Sequence, residues 1–432
     1  MKTTALVWFK NDLRTLDNGS LTQAMRDHHN VLALYCFDPR QFVNNQFGFK
    51  KTEKYRAQFL IESIQDLKKQ LERLHIPFFI YFGTPEKHIP ELISKYDIAA
   101  IYSQKEWTQE EADCSEGVKN QLSEKVSWIT SYDQFLFHPD DILMSIDQIP
   151  TVFSNFRKHC EKYASIRPLN YVQPKAPSNY FDTQTTIPDL ETLGLSTFDK
   201  DARAAFSDQG GATTAWQRVN HYLWKSKKLS FYKKTRNGLV GSDYSSKFSP
   251  WLANGCLSPR QLYYEVKKYE ASIVKNDSTY WLIFELIWRD FFKYISLKHG
   301  NAIFQLGGIL QKEYGWSNDR SLVNDWINGY TDQAFVNANM LELKNTGWMS
   351  NRGRQNVASY FAKELQLDWR IGAAYFESLL IDYDVPSNYG NWMYVAGVGN
   401  DPRNRKFNVS LQAERYDPNQ KYQQLWLQTT LL

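Results

Sequence analysis

Several stretches of this chain place charged and aromatic groups where chemistry needs them. In SLLIDYDVPSNYGNWMY, residues 378–394, Asp382 and Asp384 follow an apolar run, with Asn388 and Trp392 within ten residues. Carboxylates are seldom fully buried without a partner, so two of them at the end of a buried segment ask for a cation or a ligand. In FELIWRDFF, residues 284–292, Glu285, Trp288 and Arg289 stand at i, i+3 and i+4 and share one helix face. That face is either a solvated salt bridge beside a core tryptophan, or a pocket wall where the indole stacks on a base and the carboxylate accepts a hydrogen bond. The surrounding Phe284, Leu286, Ile287, Phe291 and Phe292 weigh against a merely solvated face. In NTGWMSNRGRQNVASYF, residues 345–361, Asn351 and Arg354 sit three apart at the start of a helix. An arginine nearby in the fold is the partner a buried Asp382 requires.

A fourth stretch, YKKTRNGLVGSDYSSKFSPWLANGCLSPRQL from Tyr232, sets Ser245, Ser246 and Ser249 around Lys247 just ahead of a proline-started helix. Hydroxyls, free backbone N–H groups and a cation at a helix start make an anion site, with phosphate the natural candidate. A plain Ser/Pro helix cap is the alternative. After the aspartate pair, VPSNYGN reads as turn chemistry that would hold Asn388 in a fixed loop. Taken singly, either aspartate is a turn carboxylate by default.

These groups need a scaffold. TALVWF, VLALYCF, PFFIYFG, IAAIYS and VSWITSY in the first 132 residues are short apolar, β-branched and aromatic runs, which predict strands. Helical segments lie between them, notably residues 52–74 with apolar positions three and four apart. The alternation predicts an α/β domain over 1–132: a parallel, Rossmann-like sheet with helices on both faces. It holds no G-x-G-x-x-G, so a nucleotide cofactor need not bind there. Residues 133–210 read as an inter-domain linker, rich in Pro, Thr and Asn without periodicity from about 165 onward. From 211 to 432 the pattern is helical.

Composition bounds the rest. A chain of 432 residues is too long for one ordinary core. Its 42% hydrophobic and 23% charged residues are those of a soluble globular protein. No run approaches a membrane span, and MKTTALVWFKND has neither a signal-peptide core nor a transit-peptide bias. Cys36, Cys114, Cys160 and Cys256 are too far apart for a disulfide framework or a zinc cluster, so no metal is expected and a reducing cytoplasm is. The net charge of +4 permits a polyanion partner without demanding one. Aromatic content is 15%, with 14 Trp, which is either a large core or an aromatic-lined site or electron path.

The order of the motifs resembles the DNA photolyase/cryptochrome family, closest to its cryptochrome DASH branch. VWFKNDLRTLDN, SSKFSPWLANGCLSPRQ, ELIWRDFF, TGWMSNRGRQNVASYF, LDWRIGAAYFESLLIDYDVPSNYGNWMY and ERYDPNQKYQQLWL carry the resemblance, which covers nearly the whole chain. It implies a non-covalent FAD in an all-α C-terminal domain. By matching position, Tyr232 and Ser245, Ser246, Lys247, Phe248 and Ser249 would hold its phosphates and ribityl chain, with Arg289 also in the cofactor set. Arg354 and Asp382 would pair beside the isoalloxazine, Asp384 would contact it, and Asn388 would face its N5, an amide that suits a reduced flavin. Trp392, Trp369 and Trp316 match the family's electron-carrying tryptophan chain.

The same resemblance implies light-driven repair, in which excited reduced FAD donates an electron to a cyclobutane pyrimidine dimer and takes it back after the ring splits. Glu285 would hydrogen-bond the dimer, Trp288 would stack on it, Asn351 and Arg352 would contact substrate, and Arg236 would meet the DNA backbone. Tyr394 stands where duplex-repairing relatives have a second stacking tryptophan, which is similar to the DASH preference for single-stranded DNA. Lys247 replaces a common arginine, and Asn337 a common aspartate. Glu106, in YSQKEW, matches the position that holds the pterin of methenyltetrahydrofolate in folate-binding relatives; no antenna, or another chromophore, is the alternative. The enzyme reading is set against a photoreceptor that binds nucleic acid with little or no repair. The chain closes sixteen residues after Tyr416, without the long tail of signalling cryptochromes. A monomer with no membrane contact is expected.

Overall fold

Five short apolar runs form one parallel sheet in the computed structural model, which describes residues 3–428. The strands are β1 (Thr4–Trp8), β2 (Asn30–Phe37), β3 (Phe78–Phe82), β4 (Ile98–Gln104) and β5 (Ser127–Ser131), in the order β3-β2-β1-β4-β5. Leu6 lies opposite Leu32 and Ile101, and Val7 opposite Ala33 and Tyr102. Because side chains alternate faces along a strand, Leu6, Leu32, Leu34 and Ile101 pack on one side against α3 (Pro85–Tyr96) and α4 (Gln109–Lys119). Ala5, Val7, Val31 and Ala33 pack on the other, with α1 (Gly19–Asp27) and α2 (Lys54–Arg73). This second core runs without a break into the helical half of the chain.

That half comprises α6 (Ala212–Val219), α7 (Tyr232–Thr235), α8 (Ser249–Ala253), α9 (Pro259–Ser272), α10 (Asp277–His299), α11 (Arg320–Asn328), α12 (Ala334–Thr346), α13 (Asn351–Ser359), α14 (Trp369–Leu379), α15 (Val385–Ala396), α16 (Val409–Tyr416) and α17 (Lys421–Leu427). The longest, α10, starts at an Asn276 capping box and is apolar on most of its circumference, which suits a helix surrounded by others. Among the described residues no helix is long and apolar enough to cross a membrane.

Residues 133–210 are less loose than their composition suggests. They contain a helix, α5 (Phe153–Tyr163), which follows α4 in the chain and buries Phe153, Phe156 and Cys160 at a 3.6-residue rhythm. Upstream of it, the N–H groups of Leu136 and Phe137 donate to Asp290 at 2.8–3.0 Å, and Tyr294 donates to the Phe137 carbonyl at 2.7 Å. This segment is therefore fastened along α10.

The two halves meet at a buried charge cluster. Arg260 donates to both oxygens of Asp17 at 2.7 and 3.1 Å and to Asp133 at 3.3 Å. Arg14 donates to the carbonyl of Gly255 at 2.9 Å. Gly255 has a φ of +70°, and a Cβ there would lie 2.1 Å from the Asn11 carbonyl oxygen, so only glycine lets the chains approach this closely.

Candidate functional site

Asp382 follows α14 and is buried. Its Oδ2 accepts from Arg354 Nη2 at 2.9 Å and from Ser249 Oγ at 2.7 Å. Its Oδ1 is buried without a partner. Arg354 comes from the first turn of α13, where Ser350 caps the helix through the Gly353 N–H. The Arg354 guanidinium lies 5.5 Å from the Trp348 ring, whose neighbour Phe206 stacks at 5.3 Å. Thus Ser249, Arg354 and Asp382, more than a hundred residues apart at the extremes, form one polar cluster. A buried carboxylate oxygen lacking a donor fits a ligand that brings an N–H.

Asp384 answers to a different cation. Its Oδ1 accepts from Lys293 Nζ at 2.7 Å, and its Oδ2 accepts from the Ser387 N–H at 3.2 Å and hydroxyl at 2.5 Å. Burial pushes this carboxyl up, but Lys293 and Arg289 outweigh burial and hold it at about 2. Asp384 is the N-cap of α15, with Pro386 in the first turn. The expected fixed loop around Asn388 is therefore a helix: Asp at N-cap and Pro just inside are helix-start chemistry, although Pro, Ser, Asn and Gly together imitate a turn. Asn388 is buried on α15 and donates to the Ala373 carbonyl at 3.0 Å.

The loop before α8 is organised by Arg218, a residue the sequence reading missed. It donates to the carbonyls of Ser242, Ser245 and Ser246 and to Asp243, all between 2.7 and 3.1 Å. Ser246 and Phe248 are buried here, with Tyr232 close to Ser246 and to Glu285. Lys247, expected in the phosphate cradle, places its ammonium on the carbonyls of Ala205 and Gly241. Burial drives it down to about 7, against the pull of Glu342. Arg289 likewise donates to the carbonyls of Gln134 and Leu252, at 2.5 and 3.0 Å.

On the α10 face, Arg236 Nη1 lies 2.8 Å from Glu285 Oε1, and Trp281 Nε1 donates to the same oxygen at 3.0 Å. Burial raises the Glu285 carboxyl, while Arg236 and Trp281 oppose it. Trp288 stacks on Phe153 at 3.6 Å and 9°, so one indole face is covered, and Tyr394 meets it edge-on at 6.1 Å and 87°. Asn351 is exposed at the start of α13. Arg352 donates to Asn237 at 3.1 Å and lies 4.5 Å from the Tyr416 ring, with its Nε buried and unpaired.

The three tryptophans run from core to surface. Trp392 and Trp369 are buried and Trp316 is half-exposed. The Gly372 position on α14 faces the Trp392 ring, where a Cβ would lie 2.2 Å from Cη2. The Asp368 N–H donates to the Ser317 carbonyl at 2.9 Å, so the residue before Trp369 is joined to the residue after Trp316. Among the described residues the Asn337 side chain bonds only to Thr331, at 2.6–3.0 Å, and closes its loop without an ion pair.

Glu106 stands at the edge of the α/β domain. It accepts from Asn11 at 3.2 Å and lies 3.9 Å from Lys10, and burial raises its carboxyl. Beside it in the chain, Gln104 Oε1 is buried without a donor, as is Gln134 Oε1, whose amide nitrogen holds the Lys105 carbonyl. A half-buried acid with spare acceptor capacity fits a ligand that brings N–H donors.

The chain is similar to known proteins along almost its full length. Residues 5–177 match the family described as DNA photolyase, and residues 281–430 match the FAD binding domain of DNA photolyase. The cryptochrome DASH of Synechocystis sp. is 46% identical over 98% of this chain and 87% of its own length. The crystal structure of Synechocystis sp. cryptochrome superposes with a TM-score of 0.94 at 45% identity, covering 98% of this chain and 88% of the other. An archaeal photolyase from Sulfolobus tokodaii, solved with two FAD molecules, shares the fold at a TM-score of 0.79 and 24% identity, covering 99% and 90%.

Proposed function

This chain belongs to the cryptochrome DASH branch of the DNA photolyase/cryptochrome family, and on that premise we propose that it is a blue-light-dependent flavoprotein that repairs cyclobutane pyrimidine dimers, preferentially in single-stranded DNA. Ser249, Arg354 and Asp382 would hold FAD, with Tyr232, Ser245, Ser246 and Phe248 on its phosphate side and Asn388 at its ring edge. When bound, the reduced cofactor supplies, under light, the electron that splits the dimer and to which it returns.

The protein's own groups do the rest. Asp382 accepts N–H donors while Arg354 keeps its charge compensated. Asp384 is held ionised by Lys293 and fixes the start of α15, and with it Asn388 and Trp392. Trp316, Trp369 and Trp392 offer redox-active rings between surface and core. Arg236 and Arg352 would attract the strand, and Asn351 would contact the lesion. Glu106 would hold an antenna, with methenyltetrahydrofolate the chemistry that the acid favours. The protein would act as a monomer in the cytoplasm.

One observation carries the reading. Glu285 lies on the same helix face as Trp288, its carboxylate pinned through one oxygen by Arg236 and Trp281. Its second oxygen has no protein donor among the described residues and is free for a substrate. Tyr394 supports the single-strand preference: it meets Trp288 edge-on, and a tyrosine offers less stacking area than a tryptophan to offset extrusion from a duplex, which costs a few kcal/mol.

The test is repair of a thymine dimer under blue light by reduced protein, in a single strand and in the same sequence as duplex. Repair is expected in the single strand and to be lost in Glu285→Ala. Repair of neither substrate by flavin-loaded protein would overturn the reading in favour of a photoreceptor.

A further inference from the structure

Trp281 sits one turn before Glu285 on α10, the i, i+4 spacing that puts two side chains on one face. An indole N–H can only donate, and this one donates to Glu285 Oε1 at 3.0 Å. Arg236 Nη1 approaches the same oxygen at 2.8 Å. Among the described residues no protein donor bonds Oε2, and the Glu285 side chain is 29% exposed. We propose that Trp281 is the positioning residue for Glu285: it anchors the carboxylate through Oε1 and leaves Oε2 for the pyrimidine dimer. The inference rests on the role given to Glu285 above.

The two donors are not equivalent. Arg236 is a partly exposed cation beside Lys233 and Lys234, and an incoming phosphate competes for it. Once the strand draws Arg236 away, its hold on Glu285 weakens. Trp281 has no such competitor. Its ring packs on Phe284 at 4.6 Å, an apolar contact that phosphate does not compete for. The indole therefore keeps Glu285 in one orientation at the moment the substrate arrives. It also favours the ionised carboxylate, so loss of the N–H raises the carboxyl further above its ordinary range.

The deciding experiment is binding in the dark, which needs neither light nor turnover. Fluorescence anisotropy of the FAD-loaded protein is measured with a single-stranded oligonucleotide carrying one thymine dimer and with its undamaged twin. Trp281→Phe keeps the ring and removes the N–H. A hydrogen bond to a charged group is worth enough that Kd for the dimer strand should rise about tenfold, with Kd for the undamaged strand unchanged and the pH midpoint of discrimination shifted upward. In Glu285→Ala, which removes the acceptor, the same Trp281→Phe change should add nothing, because the two groups act as one unit. Trp281→His, which keeps a ring N–H, should recover part of the loss and covers the case in which the phenylalanine variant folds poorly. Undiminished discrimination in Trp281→Phe, or equal loss on both strands, would overturn the assignment to Trp281 while leaving Glu285 its role. Absence of dimer discrimination in the wild type would instead overturn the reading of Glu285, and this inference with it.

Discussion

Lys293 Nζ, buried, lies 2.7 Å from Oδ1 of the half-buried Asp384, so the longest helix is tied to the cap of the helix that carries Asn388 and Trp392. This pair has a pH signature. Asp384 is held at about 2, below its unfolded value near 3.9. Its contribution of about 2 kcal/mol is complete above the unfolded value and is lost as pH falls from about 4 toward 2. Lys293→Met strands the carboxylate and should cost about 3–5 kcal/mol at neutral pH. Thermal midpoints of the two proteins from neutral to acid pH check this. The variant should melt several degrees lower at neutral pH, and the gap should narrow toward acid pH, where the wild type loses this contribution and protonation relieves the stranded carboxyl.

Arg354→Met leaves Asp382 with only Ser249 as a donor. The expected outcome is at least a tenfold loss in retained flavin, read as visible flavin absorbance per protein after purification. Full retention would remove the Arg354–Asp382 pair from the cofactor site.

On the proposed electron path, Trp369→Phe removes a buried redox-active ring and should slow light-driven reduction of the bound flavin by at least tenfold. Repair by chemically pre-reduced protein should be unchanged. Parallel loss of both activities would point to misfolding around the Leu306 carbonyl, to which Trp369 donates at 2.9 Å.

Tyr394→Trp restores the larger stacking surface beside Trp288. Base stacking on an aromatic ring is worth about 1–3 kcal/mol, so duplex repair should rise roughly tenfold relative to single-strand repair. An unchanged ratio, measured on the same lesion in both contexts, would sink the stacking argument.

Gly255→Ala tests the seam between the halves. The positive φ and the Asn11 carbonyl 2.1 Å from the new Cβ act together, and a cost of about 3 kcal/mol is expected from strain and overpacking. Thermal unfolding of the variant checks it.

Much of this architecture is written locally. The strands are short apolar runs bounded by polar residues, and Leu6, Val7, Leu32 and Ala33 sort onto two faces by simple alternation. Glu285 and Trp288 were legible as one face because helical spacing is enough. Trp281 carried the same signal, four residues before Glu285, and was passed over. Lys293 was legible only as a lone cation on an apolar helix, since its partner lies 91 residues away. Arg218, and the contacts that Lys247 makes, were hidden because three of the four Arg218 acceptors and both Lys247 acceptors are backbone carbonyls, which no residue type announces. The start of α15 failed for a different reason: the residues that begin a helix there are also those that make turns.

The Arg260 cluster has a consequence for how the chain is made. Asp17 and Asp133 belong to the half synthesised first, and their guanidinium partner arrives about 130 residues after Asp133. At 5–20 residues per second, that delay is on the order of ten seconds. During it the nascent α/β half carries two carboxylates destined for burial without the guanidinium that bonds them, and the Gly255 turn that will press on Asn11 does not yet exist. The sheet can form as soon as it emerges, but its docking face must stay hydrated until the second half arrives. The fold is thus completed late and from its C-terminal side, and a ribosome stalled before residue 260 would present a half-protein with an unsealed, acidic edge.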